Sequence, residues 1–118
     1  MRLLIVDDNP AVRRLICHIV RPIASEIHEC VDGSEALAAY SAKQPDLVLM
    51  DIRMRNVDGI AATKQIVAFD PSAKVVMVSD YDEPDLRAVC TAAGACGYAP
   101  KSNLLDLVRL LEELLKDN

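Results

Sequence analysis

The sequence predicts an α/β fold: one five-stranded parallel sheet with helices on both faces. Three observations carry that reading. Short apolar runs alternate with amphipathic segments five times, the pattern of βα units that build a parallel sheet. The runs Leu3–Val6, Leu47–Met50 and Val75–Val78 are unbroken, as expected of strands buried on both faces. The runs also stop at polar residues, at the strand ends where sites form in open parallel sheets.

The elements follow in order. Leu3–Val6 is the first strand, closed by Asp7, Asp8 and Asn9. Asn9-Pro10 is a helix start, a capping side chain followed by Pro at the first helical position. Val12, Leu15, Ile16, Ile19, Val20 and Ile23 then form one apolar face, with Arg13, Arg14, His18 and Arg21 off it. Pro22 helps to stop this helix. Residues Glu26 to Val31 alternate as a second, weaker strand, and Asp32-Gly33-Ser34 is a turn and cap before a short Ala-rich helix, Glu35 to Ala42. Gln44-Pro45 breaks that helix, and the third strand runs from Leu47 into Asp51. A loop from Ile52 to Gly59 leads into the third helix, with Ile60, Thr63 and Val67 inward, ended by Asp70-Pro71. Lys74–Val78 is the fourth strand, ending at Ser79. Asp82 and Pro84 open a fourth helix, Asp85 to Ala93, with Gly94 as its stop. Cys96–Ala99 is a short last strand before Pro100-Lys101. Asn103–Lys116 is a Leu-rich helix, apolar at Leu104, Leu107, Val108, Leu111 and Leu115.

With 118 residues, the chain has room for one domain. Aromatics are only 3%, so the core must be aliphatic. The net charge of −5 argues against direct nucleic-acid binding. No apolar stretch is long enough to span a membrane, and the first one stops at two aspartates, unlike a secretion signal. Cys17, Cys30, Cys90 and Cys96 contain no CxxC pair. They read as reduced thiols of a cytoplasmic protein, and with His18 and His28 they have the wrong spacing for zinc.

Four strand ends deliver chemistry to one edge: Asp7 and Asp8, Asp51, Ser79 and Lys101. Three crowded carboxylates repel one another. A hard cation such as Mg²⁺ relieves that repulsion and prefers oxygen ligands. A lysine and a hydroxyl beside a cation-loaded carboxylate suit a phosphoryl group, and carboxylates can act as phosphoryl nucleophiles.

On Val6-Asp7-Asp8-Asn9, Leu49-Met50-Asp51-Ile52-Arg53-Met54, Asp58-Gly59, Val78-Ser79 and Gly94-Ala95-Cys96-Gly97-Tyr98 with Lys101, the chain resembles a response regulator receiver domain of two-component signalling. The resemblance covers residues 1–118 and implies the (βα)5 flavodoxin-like receiver fold. It implies that Asp51 accepts a phosphoryl group in a self-catalysed reaction and later loses it to water. Mg²⁺ would be held by Asp7, Asp8, Asp51 and the Arg53 carbonyl, with Asp7 acting through the ion's water. Ser79 and Lys101 would bind the phosphoryl oxygens, and Ser79 and Tyr98 would form the switch. The implied partners are a sensor histidine kinase or phosphotransfer protein docking on the first helix and the loop after the last strand. A homodimer through the fourth helix, last strand and fifth helix, and a DNA-binding output domain outside this chain, are compatible with it.

Departures from the family pattern are Arg55, where many members have Pro, Ser102 after Lys101, again for Pro, and Asp80, where a small residue is usual. A cis bond before Ser102 is not expected, since it costs about 2.5–4 kcal/mol before a non-proline residue. A dehalogenase-type phosphohydrolase would share the Asp nucleophile, Mg²⁺, hydroxyl and lysine. It places its nucleophile after the first strand as Asp-x-Asp, which Asp7-Asp8-Asn9 is not. A flavodoxin-like cofactor site would need a phosphate-cradling loop there, where two aspartates would repel phosphate.

Overall fold

The structure, a computed structural model, describes residues 1–81 and 83–116. The chain alternates β1 (Arg2–Val6), α1 (Pro10–Val20), β2 (Glu26–Cys30), α2 (Ala36–Lys43), β3 (Leu47–Asp51), α3 (Gly59–Phe69), β4 (Val75–Ser79), α4 (Pro84–Ala92), β5 (Gly97–Pro100) and α5 (Leu107–Lys116). All strands are parallel, in the order β2-β1-β3-β4-β5. The chain steps one way from β1 to β2 and the other way to β3. The carboxyl ends of β1 and β3 therefore flank the switch point where an open α/β sheet presents its crevice.

The period-two alternation of the strands divides the core. Leu3, Ile5, Leu47, Leu49, Val76 and Val78 pack with Ile16, Val20, Leu107 and Leu111, the layer of α1 and α5. Leu4, Val6, Val48, Met50, Val75 and Met77 pack with Tyr40, Ala62, Ile66 and Cys90, the layer of α2, α3 and α4. The three central strands are buried throughout, apart from Arg2. Each such Leu, Ile or Val contributes about 1.5–3 kcal/mol by leaving water. This is the fold expected from the alternation of runs.

Local chemistry sets the helix starts. The Asn9 side chain accepts from the N–H groups of Ala11 and Val12, and Asp58 accepts from Ala61. Gln44, with φ of 47°, turns the chain out of α2 ahead of Pro45.

Several boundaries differ from the sequence reading. Leu15 is 49% exposed, so the buried stripe of α1 is narrower than its apolar face, and Val31 is half-exposed beyond β2. The second helix is preceded by a 3₁₀ turn, Gly33–Glu35, because Asp32 caps the Ser34 N–H. The last helix begins at Leu107 rather than Asn103. Residues Lys101–Asp106 form a 3₁₀ segment with a kink at Asn103 (φ −137°, ψ 54°), as the chain leaves the edge where Lys101 is held. Glu83 precedes α4, and Asp82 lies outside the described residues. Peptide bonds among the described residues are trans. Cys17, Cys30, Cys90 and Cys96 are free thiols. Among the described residues, no helix is long and apolar enough to cross a membrane.

Candidate functional site

Asp7 follows β1 directly and is 1% exposed. Its Oδ1 accepts from the Asn9 N–H at 2.9 Å, and its backbone carbonyl accepts from Arg13 Nη1 at 2.7 Å. Arg13 also pairs with Glu29 at 3.1 Å. That guanidinium is therefore committed to the fold, whereas the helical pattern had placed Arg13 only off the apolar face, with Arg14, His18 and Arg21.

Asp51 ends β3 and is 7% exposed. Its Oδ1 accepts from the Ile52 N–H at 3.0 Å. Lys101, arriving from the end of β5, places Nζ 3.1 Å from Asp51 Oδ1 and 3.1 Å from Asp7 Oδ2. Burial first, then the Asp7 charge, push the Asp51 carboxyl up to about 6, against the pull of Lys101. Burial alone would lower Lys101, but the Asp51 and Asp7 carboxylates outweigh it and hold the ammonium above its usual value. One cation thus serves two buried carboxylates, with exposed Asp8 beside them.

The loop after Asp51 turns back tightly. The Gly59 N–H donates to the Ile52 carbonyl at 2.6 Å. A Cβ on Gly59 would stand 1.9 Å from the Asp51 carbonyl oxygen, so only glycine fits. Ser79 ends β4 at 2% exposure, and its Oγ accepts from the Tyr81 N–H at 3.1 Å. Asp8, Asp51, Arg53, Ser79, Asp80 and Lys101 share a cavity of about 160 Å³. A larger groove of about 590 Å³ lies at the opposite end of the sheet, by Tyr40, Asp70 and Lys74. Size does not select it, because the one carboxylate triad found among the described residues is Asp7, Asp8 and Asp51.

That triad offers oxygens within 4.8 Å of one another. Asp7 Oδ2 is buried and, although ion-paired with Lys101, receives no directed hydrogen bond. An all-oxygen donor set with an under-satisfied buried oxygen suits a hard divalent cation.

The structure also joins residues that the sequence reading did not connect. The half-buried Tyr98 donates its hydroxyl to the Tyr81 carbonyl. The Arg53 guanidinium lies 4.4 Å from the centre of the Tyr81 ring, and that of Arg87 lies 4.6 Å from the Tyr98 ring. Tyr81 thereby stands between the cavity and β5. Its only sequence signal was position, two residues after Ser79.

A 2-1-3-4-5 parallel sheet with an acidic cluster and a lysine at its carboxyl edge defines the flavodoxin-like receiver class. The chain belongs to the response regulator receiver domain family, whose model matches residues 3–114. It is 38% identical over 117 residues to the chemotaxis protein CheY of Listeria monocytogenes, covering 98% of this chain and 97% of that one. It is 40% identical over 104 residues to a protein-glutamate methylesterase/protein-glutamine glutaminase of Anaeromyxobacter dehalogenans, covering 86% of this chain and 30% of that longer protein. The crystal structure of the Thermotoga maritima response regulator TrrA in complex with Mg²⁺-BeF superposes with a TM-score of 0.86 at 29% identity, covering 96% of this chain and 97% of that one.

Proposed function

We propose that the chain is a phosphorylation-dependent switch of a two-component system, in which Asp51 takes a phosphoryl group from a histidine kinase or phosphotransfer protein. The observation that carries this reading is the Lys101 ammonium, 3.1 Å from both Asp51 and Asp7 in a buried acidic cluster. A carboxylate oxygen of Asp51 bonds to phosphorus as the donor's bond to phosphorus breaks, and the donor leaves with that electron pair. Lys101 and the Ser79 hydroxyl bind the transferred oxygens. Asp7, Asp8, Asp51 and the Arg53 carbonyl would hold Mg²⁺, which supplies charge neutralisation for the phosphoryl oxygens. Hydrolysis by water at phosphorus returns Asp51 to its carboxylate.

Ser79 drawn toward the phosphoryl group would pull on the Tyr81 segment and, through the Tyr81 carbonyl, on Tyr98. This alters the surface of α4, β5 and α5, which we propose as the output face for a second copy or an output domain outside this chain. In this reading, residues 1–118 form one receiver domain, working in the cytoplasm alongside its kinase.

The test is incubation with acetyl phosphate, followed by intact-mass measurement. One phosphate adduct is expected with Mg²⁺, and none in EDTA or in Asp51→Asn. An adduct that persists in Asp51→Asn overturns the assignment.

A further inference from the structure

Asp32 stands outside the acidic cluster, at the end of β2 on the sheet edge. The residue is 5% exposed, and three backbone N–H groups donate to its carboxylate. Ser34, at 2.9 Å, belongs to the same turn. Asn56, at 3.0 Å to Oδ1, and Val57, at 3.2 Å to Oδ2, belong to the loop between β3 and α3. These bonds, led by the one from Asn56, hold the Asp32 carboxyl down at about 2. The neighbouring residue closes on the same loop, because a Cβ on Gly33 would stand 2.3 Å from the Val57 carbonyl oxygen.

The loop after Asp51 is therefore pinned twice. At its far end Gly59 is pressed against the Asp51 and Ile52 backbone. In its middle, residues 56 and 57 are tied to the β2 turn. Arg53, which borders the cavity, lies between Asp51 and the second pin. Arg55 occupies a place where a proline would have stiffened the chain.

We infer that Asp32 is a positioning residue for the cation site: its carboxylate fixes the loop at Asn56 and Val57 and so holds the Arg53 backbone beside Asp51. The inference rests on the proposed reading of the Arg53 carbonyl as a ligand. An acceptor-only side chain is required, since three N–H groups point at it. Asparagine would turn an NH₂ group toward one of them. Alanine would leave two loop amides without their acceptor.

The test is calorimetric titration of Mg²⁺ into the folded protein, with circular dichroism to confirm the fold. The chains are wild type, Asp32→Ala, Asp32→Asn, Gly33→Ala and Asp51→Asn. Asp32→Ala should bind Mg²⁺ about 10-fold or more weakly, the range for residues that orient metal ligands, with a smaller loss in Asp32→Asn. Gly33→Ala keeps the carboxylate but pushes Val57 away, and it should also weaken binding. Amide exchange at Asn56 and Val57 should rise in Asp32→Asn while the β3 amides stay protected. A merely structural role would lower melting temperature and leave the affinity of the folded protein unchanged. If Asp32→Ala does not fold, the other two variants decide. Affinities of Asp32→Asn and Gly33→Ala within twofold of wild type, with Asp51→Asn much weaker, overturn the inference alone. Equal binding by wild type and Asp51→Asn, or no binding by wild type, overturns the cation-site reading and the inference with it.

Discussion

The Tyr98 hydroxyl donates to the backbone carbonyl of Tyr81, joining the last strand to the segment that follows Ser79. Ser79 Oγ accepts from the N–H of the same Tyr81. One residue thus receives a bond on its carbonyl from β5 and gives one from its N–H to Ser79 at the end of β4. Phosphorylation can bias the distant face only if it favours one arrangement of this chain of contacts. Tyr98→Phe should leave the acetyl phosphate reaction within about twofold of wild type. It should also shrink any change in self-association that a beryllofluoride mimic produces. Sedimentation with and without the mimic is the measurement. An unchanged response in Tyr98→Phe would remove the hydroxyl from the switch.

Sharing one ammonium between Asp7 and Asp51 leaves the buried edge negatively charged. Asp51→Asn should therefore be more stable than wild type in EDTA by on the order of 1–2 kcal/mol, and so melt higher, since removing an incompletely compensated buried charge relieves the fold. Added Mg²⁺ should stabilise wild type progressively with concentration and Asp51→Asn much less. A fall in melting temperature in Asp51→Asn with EDTA would show that the Lys101 pair outweighs the repulsion.

Asp32 supplies a pH dependence at a separate place. Its folded value, about 2, lies below the ordinary 3.8, so its stabilisation is complete above the unfolded value and is lost as pH falls through the folded one. The stability gap between wild type and Asp32→Asn should be flat above about pH 5 and close between about pH 4 and 2. Urea melts across that range read it. A gap that stays constant down to pH 2 would mean that ionisation of Asp32 contributes nothing.

Asp80 is exposed at the rim of the cavity that holds Asp51, and the ion pairs found for Lys101 are with Asp7 and Asp51. A carboxylate about 6 Å from a phosphoryl group costs about 0.7–3 kcal/mol per charge pair at effective dielectrics of roughly 80 to 20. Asp80→Ala should raise steady-state phosphorylation several-fold, with the gain shrinking as salt increases. No rise, or a fall, would show that this carboxylate does not act by repulsion.

The resemblance to receiver domains puts a docking kinase on the first helix and the turn after β5, and the exposed residues there test that expectation. Arg14 and Arg21 are exposed, Leu15 is 49% exposed and Leu105 is 87% exposed. Arg14→Glu should slow transfer from the cognate kinase about tenfold with acetyl phosphate reactivity intact. Transfer at the wild-type rate would exclude that role.

The strands were readable because burial on both faces writes itself as unbroken apolar runs. The convergence of Asp7, Asp8, Asp51, Ser79 and Lys101 on one edge was readable because strand ends in a parallel sheet meet there. What lay beyond the sequence is made by loops. Asp32 reads as a turn cap, and nothing local says that its carboxylate also serves amides 24 and 25 residues further on. Arg13 falls on the polar side of a helical pattern, yet its long stem returns the guanidinium to the Asp7 carbonyl. The Arg53–Tyr81 and Arg87–Tyr98 pairs depend on loop and strand-edge geometry, which periodicity does not encode.

The helix α4 buries only Cys90 completely along its length, while α1, α3 and α5 each bury two or more residues. A helix with so few anchors sits toward the low end of local stability. Its outward positions, Ala88 and Val89 among them, are tied to no aliphatic layer. Substitutions there can change which molecule recognises this face while the sheet and its acidic edge stay as they are. The same sparse anchoring lets the recognition surface of this scaffold diverge in sequence independently of the acidic edge around Asp51.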